Sequence, residues 1–383
     1  MEQAREKILG YLQELVAIPS VYPPGNTEKI CAWFQDRLRG WGYDVKNFHK
    51  VPGIENTVAV MGKGSPCLAF NVHIDTVDVE DEKAWATPPY TLTVKDGRAY
   101  GLGANNCKGP AASQLWVAEE IARLGGPRKG SVVFTFCGDE EALGPNGTAY
   151  LREASIIRPD MLVVGAQTEN ALITRERGVT WIELAVKGKA SHAGQPESGD
   201  NAIMRMARLL CHLEKELFGT IRDRNDDGIQ STINPGTIKG GSNINVVPAS
   251  CTVAIDRRVL PVKESIEGAL EELRSVLEGA GEPAGSFELR RLTGTNGFSA
   301  PQDGPLVSAF AKAIRETTGR PVSFVDSVGA FDGRFFADDG IEIVNFGPGE
   351  GNEGHKANES LPVGQLVESA VIQKAMVAEL LGL

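Results

Sequence analysis

The chain has 383 residues, a length that favours two domains over a single hydrophobic core. Its formal net charge of -11 argues against a nucleic-acid partner, because phosphate binding needs a basic surface. No apolar run approaches the ~20 residues of a membrane span, and the first residues lack the pattern of a signal peptide. We therefore expect a cytoplasmic protein whose six scattered cysteines are reduced.

The first part of the chain alternates predicted helices and strands. Apolar residues at helical spacing from Ile8 to Val16 indicate an amphipathic first helix. Further helices are predicted at 26–42 and 108–124, and strands at 56–62, 67–73, 132–136 and 161–164. This alternation predicts a three-layer α/β domain with a mostly parallel sheet, whose functional residues follow the strand ends.

The middle of the chain has a different pattern. Strands are predicted at 181–186, 231–238, 249–257 and 286–292, and helices at 201–217 and 264–279. The order β-α-β-β-α-β is that of a ferredoxin-like α+β domain. A helix at 305–318 and a strand at 342–346 then resume the first pattern. We therefore predict a catalytic domain at 1–179 and 294–383, with a smaller domain inserted at 180–293.

Two polar clusters follow predicted strands. In FNVHIDTVD, His73 and Asp75 lie on the same side of the strand end, as a metal-binding histidine and its orienting carboxylate would. Taken alone, a surface pair beside a turn explains them better. In FTFCGDEEALG, Glu140 and Glu141 follow Asp139 directly, and such a group of acids favours a cation, with one carboxylate free to move protons. An acidic helix N-terminus explains this cluster equally well.

Histidine placement adds to these patterns. The chain has five histidines, and three of them, His73, His192 and His355, lie at a strand end or in glycine-rich segments suited to functional sites. For any one of them, a histidine without a role is the better interpretation. Their joint placement favours a functional site.

The order of the motifs resembles that of the M20 metallopeptidases over essentially the whole chain. These motifs are H-x-D, a G-x-G-x-x-(Asp)-x-K-G segment, D-E-E and a histidine loop near the C-terminus. The family includes acetylornithine deacetylase, succinyl-diaminopimelate desuccinylase, aminoacylase-1 and the glutamate carboxypeptidases. In this family two zinc ions, sometimes cobalt or manganese, share a bridging aspartate and a bridging water.

The resemblance implies a role for each matching residue. His73 would bind the first metal and Asp75 would orient it, while Glu141 and His355 would bind the second metal. Glu140 would be the general base that takes a proton from the metal-bound water and later gives it to the leaving amine.

The inserted segment resembles the family's lid and dimerisation domain, which implies a homodimer. GKASHAGQPESGDNAI matches its histidine motif, so His192 would reach the partner subunit's site and stabilise an oxyanion. Asn245 and Arg258 would bind substrate, with Arg257 as an alternative to Arg258. Asp332 and Arg334 would line the substrate site.

The chain departs from the family at two ligand positions. Asn106 lies where the bridging aspartate belongs, and Ala166, in VVGAQTEN, lies where the family's Gly-Glu-Pro-Thr segment has a first-metal ligand. An amide cannot offer two anionic oxygens to two cations, and catalytic zinc typically has three protein ligands. We therefore expect zinc or cobalt at fewer than two ions per chain, or no ion.

Two functions remain open at this point. The first is hydrolysis of the amide bond of an N-acyl amino acid or small peptide-like substrate, by a metal-activated water with Glu140 as the base. The alternative is a natural or engineered homologue with a crippled metal site, which binds, forms or rearranges such amides without normal hydrolysis.

Overall fold

The computed structural model describes residues 2–283, 285–327 and 329–383. Within these residues the chain divides into two compact units. The first comprises Met1–Thr174, Ala300–Val325 and Phe331–Leu383, and the second comprises Arg175–Ser299 and Asp326–Ala330. The inserted domain that we predicted at 180–293 falls inside the second unit. Among the described residues, no helix combines the length and the apolarity needed to cross a membrane.

The first unit is built on a six-stranded sheet. In spatial order its strands are Asp44–Phe48, Asn56–Gly62, Ser131–Cys137, Cys67–His73, Met161–Gly165 and Glu342–Phe346. The last four are mutually parallel, and the first two join in antiparallel pairing. Every residue of Ser131–Cys137 is buried, as expected for a strand covered on both faces. The predicted α/β fold with a mostly parallel sheet is confirmed.

Helices cover the sheet on both faces. The helices of the first unit are Glu2–Val16, Glu28–Gly40, Gly109–Arg123, Thr148–Glu153, Pro305–Thr318 and Val363–Leu381. On one face, Phe34 of the second helix stacks on Phe136 of the sheet, with ring centroids 3.9 Å apart. Alternate strand residues point the other way, and Asn71 there donates to Thr148 at the start of a short helix, at 2.9 Å. Helices therefore lie on both faces of the sheet, which gives a helix layer, the sheet and a second helix layer.

The second unit has its own sheet and its own apolar core. Its strands, in spatial order, are Thr232–Gly240, Ser250–Val259, Gly178–Lys187 and Phe287–Thr295, and all three pairings are antiparallel. The main helices are Ala202–Leu213 and Ile266–Glu278. The side chains of Asn201 and Ser265 cap their N-termini. The order β-α-β-β-α-β and the pairing are those of a ferredoxin-like fold.

Candidate active site

The parallel strands bring three predicted site residues together. His73 ends its strand, and Glu140 and Glu141 follow the neighbouring parallel strand, so all three lie at the same edge of the sheet. One ligand atom from each lies within 4.8 Å of the other two. His73 is only 5% exposed, which excludes the surface interpretation of the H-x-D motif. The two glutamates lie in turns, and the next helix begins at Thr148, so the helix N-terminus interpretation is wrong.

Asp75 holds this cluster in place. Its side chain is fully buried, and one carboxylate oxygen lies 3.5 Å from Nδ1 of His73. The same carboxylate accepts hydrogen bonds from the backbone N–H groups of Glu140, at 3.4 Å, and Glu141, at 3.1 Å. Asp75 therefore orients the imidazole through its backbone carbonyl, 3.1 Å from Nδ1 of His73, as well as through its carboxylate, which also fixes the backbone of the acidic pair.

Asn106 lies at the centre of the predicted ligands. Its Oδ1 is 3.1 Å from Nε2 of His73, and its Nδ2 donates to Oε1 of Glu141 at 2.9 Å. Nδ2 is also 2.8 Å from Nε2 of His355, which in turn lies 2.9 Å from Oε1 of Glu141. The structure thus brings His73, Glu141 and His355 together around the side chain of Asn106.

Two further residues hold Asn106, and the motif comparison missed both. Gln167 donates from Nε2 to Oδ1 of Asn106. Glu359 accepts backbone hydrogen bonds from Gly103, Asn105 and Asn106 at 2.9, 2.9 and 2.6 Å. Gln167 carries a recognisable signal, because it lies beside Ala166 in the altered segment. Glu359 follows the histidine loop in a stretch whose sequence gives no such sign.

Burial dominates the electrostatics of the site. It raises the pKa of Glu140 to about 8, against the opposing positive charge of His73. It also raises the pKa of Glu359 to about 7, against the backbone hydrogen bonds that the carboxylate accepts. Burial alone would lower the pKa of His73, but the neighbouring Cys107 and Glu140 raise it well above its usual value.

Asp332 and Arg334 lie in the short helix Asp332–Phe336 and are buried. The Asp332 carboxylate accepts a hydrogen bond from Thr148 at 2.6 Å, and the Arg334 guanidinium lies over the ring of Phe335. Their proximity adds a negative and a positive charge, respectively, to the surroundings of Glu140.

The other predicted residues belong to the second unit. His192 and Asn245 are exposed, and their segments meet where the N–H of Ala193 donates to the carbonyl of Asn245 at 3.0 Å. Arg258 is half-buried and binds Asp256 at 2.9 and 3.1 Å. Arg257 is completely buried and pairs with a glutamate of its own unit, so it does not suit the role of a substrate ligand.

Comparison with known proteins identifies the family. The sequence model of Peptidase family M20/M25/M40 matches residues 69–379. The chain belongs to this family. This M20 protein is 32% identical to an acetylornithine deacetylase of Myxococcus xanthus, over 97% of both chains. It is 29% identical to a succinyl-diaminopimelate desuccinylase of Herminiimonas arsenicoxydans, over 93% of this chain and 94% of the relative.

Solved structures show the same fold. An M20 family metallo-carboxypeptidase of Sulfolobus solfataricus superposes with a TM-score of 0.79 at 16% identity, over 98% of this chain and 99% of that one. The family resemblance predicted from the motifs is confirmed. By family, the protein is a hydrolase that acts on amide bonds.

Members of the M20 family are dinuclear metal enzymes, typically with zinc, but the donor set of this chain does not fit a pair of ions. Ala166 is buried and offers no ligand atom. The Nδ2 group of Asn106 points N–H donors at Glu141 and His355, where a cation would need lone pairs. The remaining cluster of His73, Glu140 and Glu141 offers three ligand atoms close enough together to hold one ion.

Proposed function

We propose that the protein acts on the amide bond of an N-acyl amino acid or a small peptide-like substrate, with Glu140 as the proton carrier. The relatives named deacetylase and desuccinylase, which match nearly the whole chain, support this substrate class. In the reaction, a water oxygen bonds to the carbonyl carbon, the C–N bond breaks, and the amine leaves with one proton of the water.

The position of Glu140 carries this proposal. Its carboxylate lies 3.9 Å from Nε2 of His73, at the edge where the parallel strands end, and its backbone is held by Asp75. A carboxylate fixed in this way is suited to take the proton from an attacking water and pass it to the leaving nitrogen.

The metal content and the roles of the remaining site residues are also part of the proposal. We propose zinc or cobalt at fewer than two ions per chain, because the donor set does not fit the pair. The roles that the resemblance implies for His192, Asn245, Arg258, Asp332 and Arg334 are likewise part of the proposal.

A homodimer through the second unit is also proposed. Strand Thr232–Gly240 lies at the edge of its sheet, and its residues from Pro235 onward are exposed, including Ile238 at 59%. An exposed edge with an apolar side chain is a surface on which a second chain can pair.

The test is release of free amine from a panel of N-acetyl and N-succinyl amino acids and dipeptides, followed by mass spectrometry. Glu140→Gln keeps the shape of the side chain but cannot accept the proton, so turnover should fall by about 10²–10⁴-fold. Glu6→Gln removes an exposed carboxylate of the first helix and should turn over like the wild type. Unchanged turnover in Glu140→Gln would remove Glu140 from the mechanism.

A second function is favoured by one observation, the absence of a carboxylate at positions 106 and 166, which are Asn106 and Ala166. A homologue that binds, forms or rearranges acyl-amino acids should bind such amides in calorimetry and release no amine over hours. Rapid amine release from the same compounds would rule this alternative out.

A further inference from the structure

We propose that the side-chain amides of Asn106 and Gln167 form an amide bridge that replaces the metal pair, so that the site is complete without those ions. Gln167 acts here as a positioning residue for Asn106. The inference concerns how the site is held together, and it stands independently of which substrate the protein uses.

Three of the four hydrogen-bonding positions of the Asn106 amide are matched. An amide side chain has two acceptor positions on its oxygen and two donors on its nitrogen. The oxygen faces Nε2 of His73 at 3.1 Å and the Nε2 group of Gln167. The nitrogen donates to Oε1 of Glu141 at 2.9 Å and lies 2.8 Å from Nε2 of His355, which itself donates to Glu141. One neutral group thus links the residues that two shared cations would otherwise link.

Gln167 determines which way the Asn106 amide points. Its Nε2 group is only a donor, and it is anchored by a second hydrogen bond to the backbone carbonyl of Asn105 at 3.2 Å. If the Asn106 amide were reversed, two donor groups would face each other at Gln167. The Asn106 oxygen would then face the carboxylate of Glu141, so favourable contacts would be lost on both sides.

An aspartate at position 106 would have the opposite requirement. Its second carboxylate oxygen would lie where Nδ2 now lies, 2.9 Å from Oε1 of Glu141. Two carboxylates at that distance cannot both be ionised unless a cation lies with them. Glu359 fixes the backbone of residues 103–106, so the side chain cannot withdraw easily from this position. Asparagine removes the need for a cation, and Ala166 removes a ligand that a cation would use.

The experiment measures metal content by plasma mass spectrometry, and melting temperature with EDTA or with zinc, at pH 8 and without substrate. The wild type should melt within about 1 °C in the two conditions. Asn106→Asp should melt about 3–5 °C lower than the wild type in EDTA and recover with zinc. Asn106→Asp combined with Ala166→Glu should hold two equivalents of zinc.

Gln167→Ala tests the positioning role in a protein that keeps Asn106. Without the fixed donor, the amide is free to turn its oxygen towards a cation, so zinc should bind at least tenfold more tightly than to the wild type. The matched control is Gln365→Ala, which removes an acceptor for the N–H of Gly349 in the histidine loop and does not touch Asn106. It should loosen the loop without a gain in zinc affinity.

Two equivalents of retained zinc in the wild type would overturn the proposal, and so would a melting temperature that falls when EDTA removes metal. Unchanged zinc affinity in Gln167→Ala would remove its positioning role. A single ion that EDTA removes without lowering the melting temperature supports the amide bridge. None of these measurements depends on turnover. The amide bridge can therefore be refuted while the proposed amide hydrolysis stands, and the reverse also holds.

Discussion

The buried ion pair of Arg257 in the second unit leads to a prediction about stability. Its guanidinium is 0% exposed, and Nη2 lies 2.7 Å from Oε1 of Glu264. The Glu264 carboxylate also accepts from the backbone N–H of Leu260 at 2.7 Å and from the hydroxyl of Ser231. Arg224, whose side chain is 28% exposed, lies 2.7 Å from the same carboxylate and also binds Glu272.

Glu264→Gln should lower the free energy of unfolding by about 3–5 kcal/mol. The substitution keeps the shape of the side chain but leaves the charge of Arg257 buried without its counter-ion, and breaking a buried pair in this way has a cost of that size. Glu272→Gln is the matched control, because it removes a carboxylate that binds only the more exposed Arg224. Its cost should be about 0–1 kcal/mol.

The assay is urea unfolding at pH 7, followed by far-UV circular dichroism. The unit that contains the substitution should unfold at a lower urea concentration in Glu264→Gln than in Glu272→Gln. If the two variants differ by less than about 1 kcal/mol, the buried pair does not contribute as argued.

The same pair predicts a pH dependence. Burial by itself would raise the pKa of Glu264, but the hydrogen bonds from Ser231 and Leu260 hold it below its usual value near 4.5, and the charges of Arg224 and Arg257 lower it further. Because the folded-state pKa is depressed, its stabilising contribution is present above about pH 4.5. That contribution is lost as the pH falls through the lower, folded-state pKa. The difference in free energy of unfolding between wild type and Glu264→Gln should therefore shrink on acidification. A difference that grows would mean that the pKa of Glu264 is not lowered by folding.

Two further substitutions test packing and capping. Phe34→Ala removes a completely buried ring that stacks on the sheet, so urea unfolding should show a loss of about 3–5 kcal/mol, whereas a loss below about 1 kcal/mol would mean that the cavity closes. Asn201→Ala removes the side-chain acceptor of the N–H groups of Ile203 and Met204 and should lose about 1 kcal/mol in thermal unfolding. Asn201→Asp keeps the acceptor and should unfold like the wild type, and equal losses in both variants would show that capping is not the cause.

The sequence predicted best the elements whose pattern is local. The bounds expected for Cys67–His73 and Pro305–Thr318 match the structure, because the strand is a continuous apolar run and the helix begins at a proline and ends before Gly319. The edge strand Asp44–Phe48 was missed. None of its residues is fully buried, so its sequence DVKNF lacks the apolar run of the central strands. What makes it a strand is its pairing with Asn56–Gly62.

The site shows the same limit. His73, Glu140, Glu141 and His355 were predicted as one set because the order of their motifs is preserved along the chain, and the structure brings their side chains together. The hydrogen bond from Gln167 to Asn106 joins residues 61 positions apart, and the bonds that Glu359 accepts span about 250 positions. Neither contact leaves a periodic or spaced pattern in the sequence. The structure was needed to show that the substitutions at 106 and 166 have a partner at 167.

The residues Asn106, Ala166 and Gln167 are therefore best understood as one set. Replacing aspartate by asparagine alone would place an N–H₂ group among groups arranged for cations. A fully buried polar group without a partner costs about 1–3 kcal/mol, and Asn106 is half-buried, so its cost lies below that range. Matching is not automatic in this fold, because among the described residues the buried side-chain oxygens of Asn71 and Asn170 have no hydrogen-bond partner. At Asn106 both acceptor positions of the oxygen are matched and the nitrogen donates to Glu141, and Gln167 supplies the one contact that none of the predicted metal ligands provides. The amide bridge therefore gives Gln167 a role, which the loss of two metal ligands by itself does not.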